Sequence, residues 1–238
     1  LDWQDLPLAP LLAGRYHLPV SVLNDSQATA IGEYVYGGDH PAGSNLIVVN
    51  VKHGIGAGIL INGRLFQGDG GGAGEIGHVV VREDGALCRC GKRGCLETIA
   101  SARAVVQRYQ QIAQPVAALP QSQENAETDL AQVESAFHQG DPLARQVVLE
   151  AGAALGTSIA SLIGVLNIEQ IVLTGDMVRF GEPWRQSVHE AMLQSALSRM
   201  AQNTRLETGT LEFRACILGA SAYMLLENYS LLFLQTHE

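Results

Sequence analysis

The sequence has few aromatic residues and few cysteines. Phenylalanine, tryptophan and tyrosine together make up 5% of the 238 residues, although hydrophobic residues make up 47% and glycine occurs 26 times. So large a hydrophobic fraction excludes a disordered chain, and four cysteines are too few for a disulfide-rich scaffold. Aliphatic residues interspersed with many glycines indicate an α/β protein, in which tight turns join strands to helices.

Positive charge is also scarce. The chain has 15 lysines and arginines against 24 acidic residues, so its formal net charge is −9 at pH 7. A protein that binds duplex DNA neutralises phosphates with lysine and arginine. The charge therefore excludes a DNA-binding surface on this part of the chain, and any DNA contact must come from another segment.

Long apolar runs are missing as well, because none reaches the roughly 18 to 20 residues that a membrane span requires. The longest, residues 151–166, contains three glycines together with Thr157 and Ser158, which predicts a buried core helix. No signal peptide opens the chain. We therefore expect a cytoplasmic protein without membrane insertion. Because the chain starts with Leu1 in what looks like the middle of a domain, we also expect that an upstream segment is absent.

The pattern of apolar residues predicts strands that alternate with helices, which is typical of a three-layer α/β architecture. Asn62-Gly63 is the strongest hairpin signal in the sequence. Strands are predicted over residues 19–23, 45–51, 55–61, 64–67, 170–174 and 210–217. Helices are predicted over residues 6–15, 24–36, 96–111, 142–166, 183–200 and 219–228, with a flexible connector over 114–125.

One short stretch contains three of the four cysteines and a histidine. His78, Cys88, Cys90 and Cys95 lie within eighteen residues and form a complete set of four nitrogen and sulfur ligands. Zinc in structural sites takes such a set in tetrahedral geometry, with no open position. The sequence therefore predicts a structural zinc ion. The alternatives are a chance cluster of reduced thiols or a Cys90–Cys95 disulfide. The fourth cysteine, Cys216, is predicted to be an inert buried thiol.

A second group of polar residues follows the strand predicted over 19–23. Asp25 lies where that strand ends and a helix begins, which is where α/β folds present side chains to a ligand. A carboxylate there can act as a general base towards a sugar hydroxyl. The alternative is that Asn24, Asp25 or Ser26 merely caps the helix.

Further acceptors flank the predicted metal loop. Glu75 precedes His78 by three residues, and Glu97 follows Cys95 by two, so one ion would hold both edges of the loop. Rigidly held carboxylates and an imidazole suit the vicinal hydroxyl groups of a sugar. The glycine-rich stretch 53–58 is a weaker signal, because glycines in strands mark bulges as often as phosphate sites.

Together these motifs resemble the ROK family of bacterial sugar repressors and sugar kinases. The resemblance rests on VLNDSQATAIGE, HGIGAGI, GEIGH, CRCGKRGCLE and IVLTGD, which occur in family order across nearly the whole chain. It implies an actin-like, ribonuclease-H-like fold of two lobes, of which residues 1–238 would form mainly the larger second lobe, as one sugar-binding domain. It also implies that the sugar ligands are Asn24, Asp25, Glu75, His78 and Glu97, that Asp25 is the base in a kinase, and that His78, Cys88, Cys90 and Cys95 hold zinc.

Departures from the family pattern favour its regulator branch. Family kinases carry an Asp-x-Gly-Gly-Thr phosphate loop that is not found here, and Lys52-His53-Gly54 replaces their second phosphate motif, Gly-Thr-Gly. Asp176 and Met177 replace consecutive glycines at the adenosine segment, which implies a carboxylate and a thioether in the nucleotide space, and the carboxylate repels polyphosphate. The resemblance thus implies a sensor of a sugar or sugar phosphate that forms dimers or tetramers and binds operator DNA through a missing amino-terminal winged helix. The alternative is a kinase that uses ATP and Mg²⁺.

Overall fold

The computed structural model describes residues 6–113 and 126–227. Its one sheet has five strands in the order β3-β2-β1-β4-β5. Strands β1, β4 and β5 are parallel, whereas β2 and β3 run antiparallel to their neighbours. The strands are β1 (Leu46–Val51), β2 (Ile55–Ile61), β3 (Arg64–Leu65), β4 (Gln170–Thr174) and β5 (Arg205–Thr208).

Helices cover both faces of this sheet. They are α1 (Leu8–Tyr16), α2 (Asp25–Gly32), α3 (Glu97–Ala100), α4 (Ala102–Ala113), α5 (Ala126–His138), α6 (Pro142–Leu166), α7 (Gly181–Ser195), α8 (Ser198–Asn203) and α9 (Arg214–Glu227). A π-helical turn, Glu33–Gly37, continues α2, and short 3-10 turns occupy Asp69–Gly71, Ile76–His78 and Asp176–Phe180.

Residues of β1 alternate between two apolar layers, which is why the strand is a continuous aliphatic run. Ile47, Val49 and Val51 pack with α4, α5, α6 and α7 in the main core, whereas Leu46 and Val48 pack against Ala30 of α2. All five strand residues are fully buried. The predicted three-layer α/β architecture is therefore confirmed.

The long helix α6 supplies much of the main core. Among the described residues it is the one helix long and apolar enough to cross a membrane, but half of its most apolar window is buried inside the fold. Its start is set by Asp141, whose side chain accepts a hydrogen bond from Ala144 N at 2.7 Å, and by Pro142 in the first turn. The predicted core helix over 142–166 is confirmed.

Other predicted elements are confirmed with shifted boundaries. The hairpin of β1 and β2, the turn into β3 and the strand β4 are found as predicted. The helix predicted over 96–111 is divided at Ser101, which is extended and whose hydroxyl caps α4 by accepting from Ala104 N at 3.1 Å. The helix predicted over 183–200 is divided at Ala196. The connector over 114–125 and Asn228 lie outside the described residues.

Two predicted strands are wrong. Residues 19–23 form no strand in the described parts of the chain. Residues 210–217 contain a turn and the start of α9, and the last strand is β5, which lies nearer the amino terminus. The small residues Ala215 and Gly219 let α9 pack closely on α2, since a Cβ added at Gly219 would overlap Ala28 O. Cys216 is half-buried on α9, so the prediction of a buried thiol is also wrong.

Candidate functional site

The four predicted metal ligands come together. The ligand atoms of His78, Cys88, Cys90 and Cys95 all lie within 4.8 Å of one another. His78 Nδ1 is 3.4 Å from Cys88 Sγ, and the Sγ atoms of Cys90 and Cys95 are 3.6 Å apart. Ligand atoms around tetrahedral zinc, with bonds of about 2.0–2.3 Å, lie roughly 3.3–3.8 Å apart. The cluster therefore has the composition and spacing to hold a metal ion.

The protonation of the cluster also bears on metal binding, because a thiol must lose its proton to become a ligand. Burial raises the pKa of Cys95 to about 12, and hydrogen bonds with Cys90 and Cys88 contribute to that rise. The pKa of exposed Cys90 is lowered, chiefly because it accepts a hydrogen bond from the backbone N–H of Lys92. A metal ion bound by this cluster would therefore have to displace the proton from Cys95.

A compact loop brings the ligands together. Residue pairs Val80–Cys95 and Leu87–Arg93 form antiparallel bridges across it. Gly94 has a φ of 71°, and a Cβ there would overlap the carbonyl oxygen of Arg82, so this turn requires glycine. This turn reverses the direction of the chain and places Cys95 next to His78.

The amino terminus of α2 is joined to the glycine-rich loop that leads into the metal loop. Asn24 caps α2 by accepting a hydrogen bond from Ser26 N at 2.8 Å, and its amide donates to Glu75 Oε1 at 3.1 Å. Gln27 donates to Gly71 O at 2.9 Å. Asn24 is therefore both a helix cap and a partner of Glu75, and Asp25 remains exposed beside it.

These residues border an open cavity of about 520 Å³, called here the larger cavity. Its size is within the range of small-molecule sites. Its wall contains three carboxylates, two cationic side chains, two amides, an imidazole and an aromatic ring. They are Asp25, Glu75 and Asp176; Lys52 and Arg89; Asn24 and Asn50; His53; and Phe213.

A second cavity of about 320 Å³, the smaller cavity, lies beside the metal loop. His53 and Arg89 line both cavities. Between them is an ion pair in which Arg89 Nε lies 3.0 Å from Glu97 Oε1 and Arg89 Nη2 donates to Glu97 Oε2 at 3.2 Å. The Glu97 side chain is 11% exposed, whereas that of Arg89 is 68% exposed.

The five predicted sugar ligands do not line a single cavity. Asn24, Asp25 and Glu75 line the larger cavity, and Glu97 lines the smaller one, where Arg89 occupies its carboxylate. His78 lines neither of these two cavities of the described chain, and its Nδ1 faces the metal cluster. Its Nε2 is the nitrogen that remains for another partner.

Several cavity residues were not predicted. Arg89 lies between the predicted metal ligands Cys88 and Cys90, and this position could have indicated from the sequence that its side chain lies near the site. Asn50 is buried at the end of β1, Phe213 is 75% exposed, and Arg103 lies in the first turn of α4. These three come from segments far apart in sequence, so only the fold brings them to the cavities.

Asp176 and Met177, the two residues after β4 that depart from the kinase pattern, have different surroundings. Asp176 lines the larger cavity. Met177 is fully buried in the main core. The expectation that its thioether occupies the nucleotide space is therefore wrong, because the side chain turns into the apolar layer.

A family profile described as the ROK family matches residues 1–227. The chain belongs to the ROK family. A xylose repressor from Caldicellulosiruptor bescii is 32% identical to this ROK chain over 227 residues, covering 94% of the chain and 57% of the repressor. A glucokinase from Halalkalibacterium halodurans is 34% identical over 232 residues, covering 92% of the chain and 67% of the glucokinase.

A solved ROK transcriptional regulator, described as a homologue of the E. coli MLC protein, superposes with a TM-score of 0.76 at 30% identity. The superposition covers 90% of this ROK chain and 54% of the regulator. The predicted fold, the actin-like α/β fold of ROK kinases and repressors, is thereby confirmed. The chain spans about half the length of the regulators it matches, and both regulators and kinases are among its relatives.

Proposed function

We propose that residues 1–238 form the sugar-sensing and oligomerisation domain of a carbohydrate-responsive transcriptional regulator, most simply a repressor. One observation carries the proposal: the larger cavity combines hydroxyl acceptors with Asp176, a carboxylate in the segment that the family resemblance assigns to the nucleotide of a kinase. Asp25 and Glu75 supply the acceptors, and Asp176 supplies the opposing charge. The similarity to a xylose repressor supports the regulatory interpretation.

Recognition of a sugar would rest on a few hydrogen-bonding side chains. Asn24 and Glu75 are already hydrogen-bonded to each other, so their geometry is set before a ligand arrives. Asp25 is exposed next to them and would accept hydrogen bonds from sugar hydroxyls. Glu97, which lines the smaller cavity, would add an acceptor from the metal-loop side.

Zinc is the metal that this proposal assigns to the cluster of His78, Cys88, Cys90 and Cys95. Four ligands leave no open position for substrate, so the ion would be structural. It would hold together the two ends of a loop whose flanks carry Glu75 and Glu97. The domain would form dimers or tetramers, and operator DNA would be bound in the cytoplasm by a winged helix outside these residues.

Calorimetry with glucose, xylose, N-acetylglucosamine and their phosphates tests the sensing role. We expect one of these compounds to bind, and Asp25→Asn to weaken it by about tenfold or more, because hydrogen bonds to a charged acceptor are strong. Asp39→Asn, an exposed residue outside both cavities, is the matched control and should bind normally. Absence of binding across the set would contradict the proposal.

An ATP-dependent sugar kinase is the second candidate. The exposed Asp25 carboxylate at the start of α2 is placed to deprotonate a sugar hydroxyl, and a glucokinase is among the relatives. A coupled assay of ADP release with ATP, Mg²⁺ and the same sugars decides between the two. The regulator predicts no sugar-dependent turnover, whereas turnover that is lost in Asp25→Asn would establish the kinase.

A further inference from the structure

The hydroxyl acceptors of the larger cavity lie at the start of β2. A Cβ at Gly56 would lie 2.5 Å from Ser26 Oγ, so α2 begins directly over this strand. The 3-10 turn that follows Glu75 also packs on the strand, because a Cβ at Gly77 would overlap Ile55 O. The start of α2 and Glu75 therefore line the cavity from its β2 end.

The turn between β5 and α9 lines the same cavity from the end of β4. Phe213 of this turn is in the cavity wall. Gly209 N, in the same turn, donates to Leu173 O at 2.9 Å, and a Cβ at Gly209 would lie 2.5 Å from Thr174 Cγ2. Asp176, two residues after β4, lines the cavity as well. The β4 end of the cavity therefore combines an aromatic ring with a carboxylate.

The strand order separates the two ends of the cavity. The start of β2 and the end of β4 lie at one edge of the sheet, since Val51 pairs with Ile55 and Asn50 with Thr174. Strand β1 lies between them, and adjacent strands are about 4.8 Å apart, so the two strand ends are roughly 10 Å apart. A cavity of about 520 Å³ that extends over this distance has room for more than one sugar ring.

A buried carboxylate fixes the turn that carries Phe213. Glu33 directly follows α2 and is 1% exposed, and its two oxygens accept hydrogen bonds from Thr210 N and Leu211 N, each at 3.3 Å. None of the ion pairs found among the described residues includes Glu33. Burial of a carboxylate without a cation is costly, so these two N–H groups are its necessary partners. Glu33 therefore holds the turn against the end of α2.

Phe213 itself is 75% exposed although it lines a cavity. The preceding residue, Glu212, has a left-handed φ of 53°, which residues other than glycine rarely adopt. A sugar ring has apolar C–H groups on its faces and hydroxyl groups at its edge. An aromatic ring in a cavity that Asp176 also lines can therefore contact the face of such a ring while the carboxylate accepts a hydroxyl hydrogen.

We propose that Phe213 is an aromatic platform for a second ring of the ligand, and that Glu33 is the positioning residue that holds this platform in place. The inference rests on the proposed function, because it narrows the ligand of the same sensing site to a disaccharide or another glycoside with a second ring. The first ring would bind Asp25 and Glu75. The second ring would place an apolar face against Phe213 and a hydroxyl group near Asp176.

Calorimetry on the full chain with matched pairs tests the platform: glucose against maltose and cellobiose, xylose against xylobiose, and N-acetylglucosamine against N,N′-diacetylchitobiose. We expect one disaccharide to bind at least about tenfold more tightly than its monosaccharide, because it also covers the aromatic ring. Phe213→Ala should remove most of this ratio without weakening the monosaccharide, and Phe213→Trp should retain it. Phe66→Ala removes an exposed aromatic ring outside both cavities and is the matched control, for which the ratio should be unchanged.

A double-mutant cycle tests whether Glu33 acts through Phe213. Glu33→Gln keeps the size of the side chain but replaces one acceptor oxygen with a donor, so only one of the two N–H groups keeps its partner. The ratio of disaccharide to monosaccharide affinity should fall about threefold or more, with no further fall in the Phe213→Ala background. Glu207→Gln, an exposed residue of β5 outside both cavities, removes the same charge and should leave the ratio unchanged.

Each other result has a distinct meaning. Equal binding of every disaccharide and its monosaccharide, or a ratio that survives in Phe213→Ala, would overturn the platform but leave the proposed function intact. Equal weakening of both sugars by Glu33→Gln, or independent effects in the cycle, would overturn the positioning role, because a general loss of stability does not change the ratio. Failure of every monosaccharide and disaccharide to bind would refute the proposed function itself.

Discussion

Cys90 is the most exposed of the four cysteine and histidine side chains in the metal cluster, and it is the simplest to remove without disturbing the core. We expect the wild-type chain to contain about one equivalent of zinc by elemental analysis, as a complete tetrahedral site requires. Cys90→Ser should lose the metal and disorder the loop, because a structural zinc ion contributes roughly 10 to 16 kcal/mol of apparent binding free energy in small peptides.

Cys216→Ser is the matched control for this change. Cys216 lies on α9 and is not among the four clustered residues, so its variant should retain the full metal content. A Cys90→Ser protein with undiminished zinc, or a wild-type protein without metal, would refute the assignment of the site.

Asn24 has two separable roles, as the cap of α2 and as the donor to Glu75. Asn24→Ala removes both, so it should lower the free energy of unfolding by about 0.5–2 kcal/mol and also weaken sugar binding. Asn24→Ser keeps a capping oxygen but has no amide to reach Glu75. Urea denaturation should show Asn24→Ser close to wild type, and calorimetry should show both variants impaired. Normal binding by Asn24→Ser would mean that the contact with Glu75 does not organise the site.

At the scale of elements, the packing of α6 on α7 depends on a glycine. A Cβ at Gly156 would overlap Val188 O and lie 2.9 Å from Ala191 Cβ, whereas nothing lies within 4 Å of the corresponding position at Gly164 in the same helix. Gly156→Ala should destabilise the protein by about 1–3 kcal/mol through overpacking. Gly164→Ala should stabilise it by up to about 1 kcal/mol, because alanine is the better helix former. Urea denaturation of the two variants compares these effects, and similar stabilities would contradict the close helix contact.

The elements predicted correctly from the sequence are those in which local pattern and tertiary environment agree. The β1–β2 hairpin combines aliphatic runs with an Asn-Gly turn, and α6 combines a proline start with a long apolar stretch. Residues 210–217 alternate like a strand, but the fold uses Ala215 as a small residue against α2, next to Gly32. Residues 19–23 are apolar enough for a strand, although a sequence cannot show whether a neighbouring strand is available.

The candidate site follows the same division. The metal ligands and the acceptors Asn24, Asp25 and Glu75 were predictable because they occur in short motifs or at the edges of elements. The smaller cavity was not predictable, because Arg103 approaches Arg89 only through the placement of α4 beside the metal loop. Long-range contacts of this kind leave no local periodicity to recognise.

At the scale of the whole molecule, the metal loop should couple metal binding to sugar affinity. Its two flanks carry Glu75 and Glu97, on opposite sides of the cluster in sequence. Removal of the metal by a chelator should therefore weaken sugar binding by about tenfold or more, the equivalent of one charged hydrogen bond. The same chelator should leave Cys90→Ser unchanged. Calorimetry before and after chelation gives the answer, and unchanged affinity in the wild type would show that the loop and the ligand site are independent.

The net charge of −9 makes a separate prediction for the whole chain. Residues 1–238 alone should not retard duplex DNA in a gel-shift assay, even at low salt, because nonspecific DNA binding depends on neutralised phosphates. A retarded band whose strength falls with added salt would locate a DNA-binding surface on this domain and contradict the division of roles proposed above.

The two glycines of β2 that lie beneath α2, Gly56 and Gly58, have a structural consequence. Gly58 is not in the wall of either cavity, yet a Cβ there would collide with Ala30 and lie 2.6 Å from Ser26 O. Helix α2, which carries Asp25, therefore packs directly on the backbone of β2 at Gly58. The methyl group of a Gly58→Ala variant would push α2 away from the sheet and displace Asp25. Ligand affinity would then fall although no residue that lines a cavity has changed.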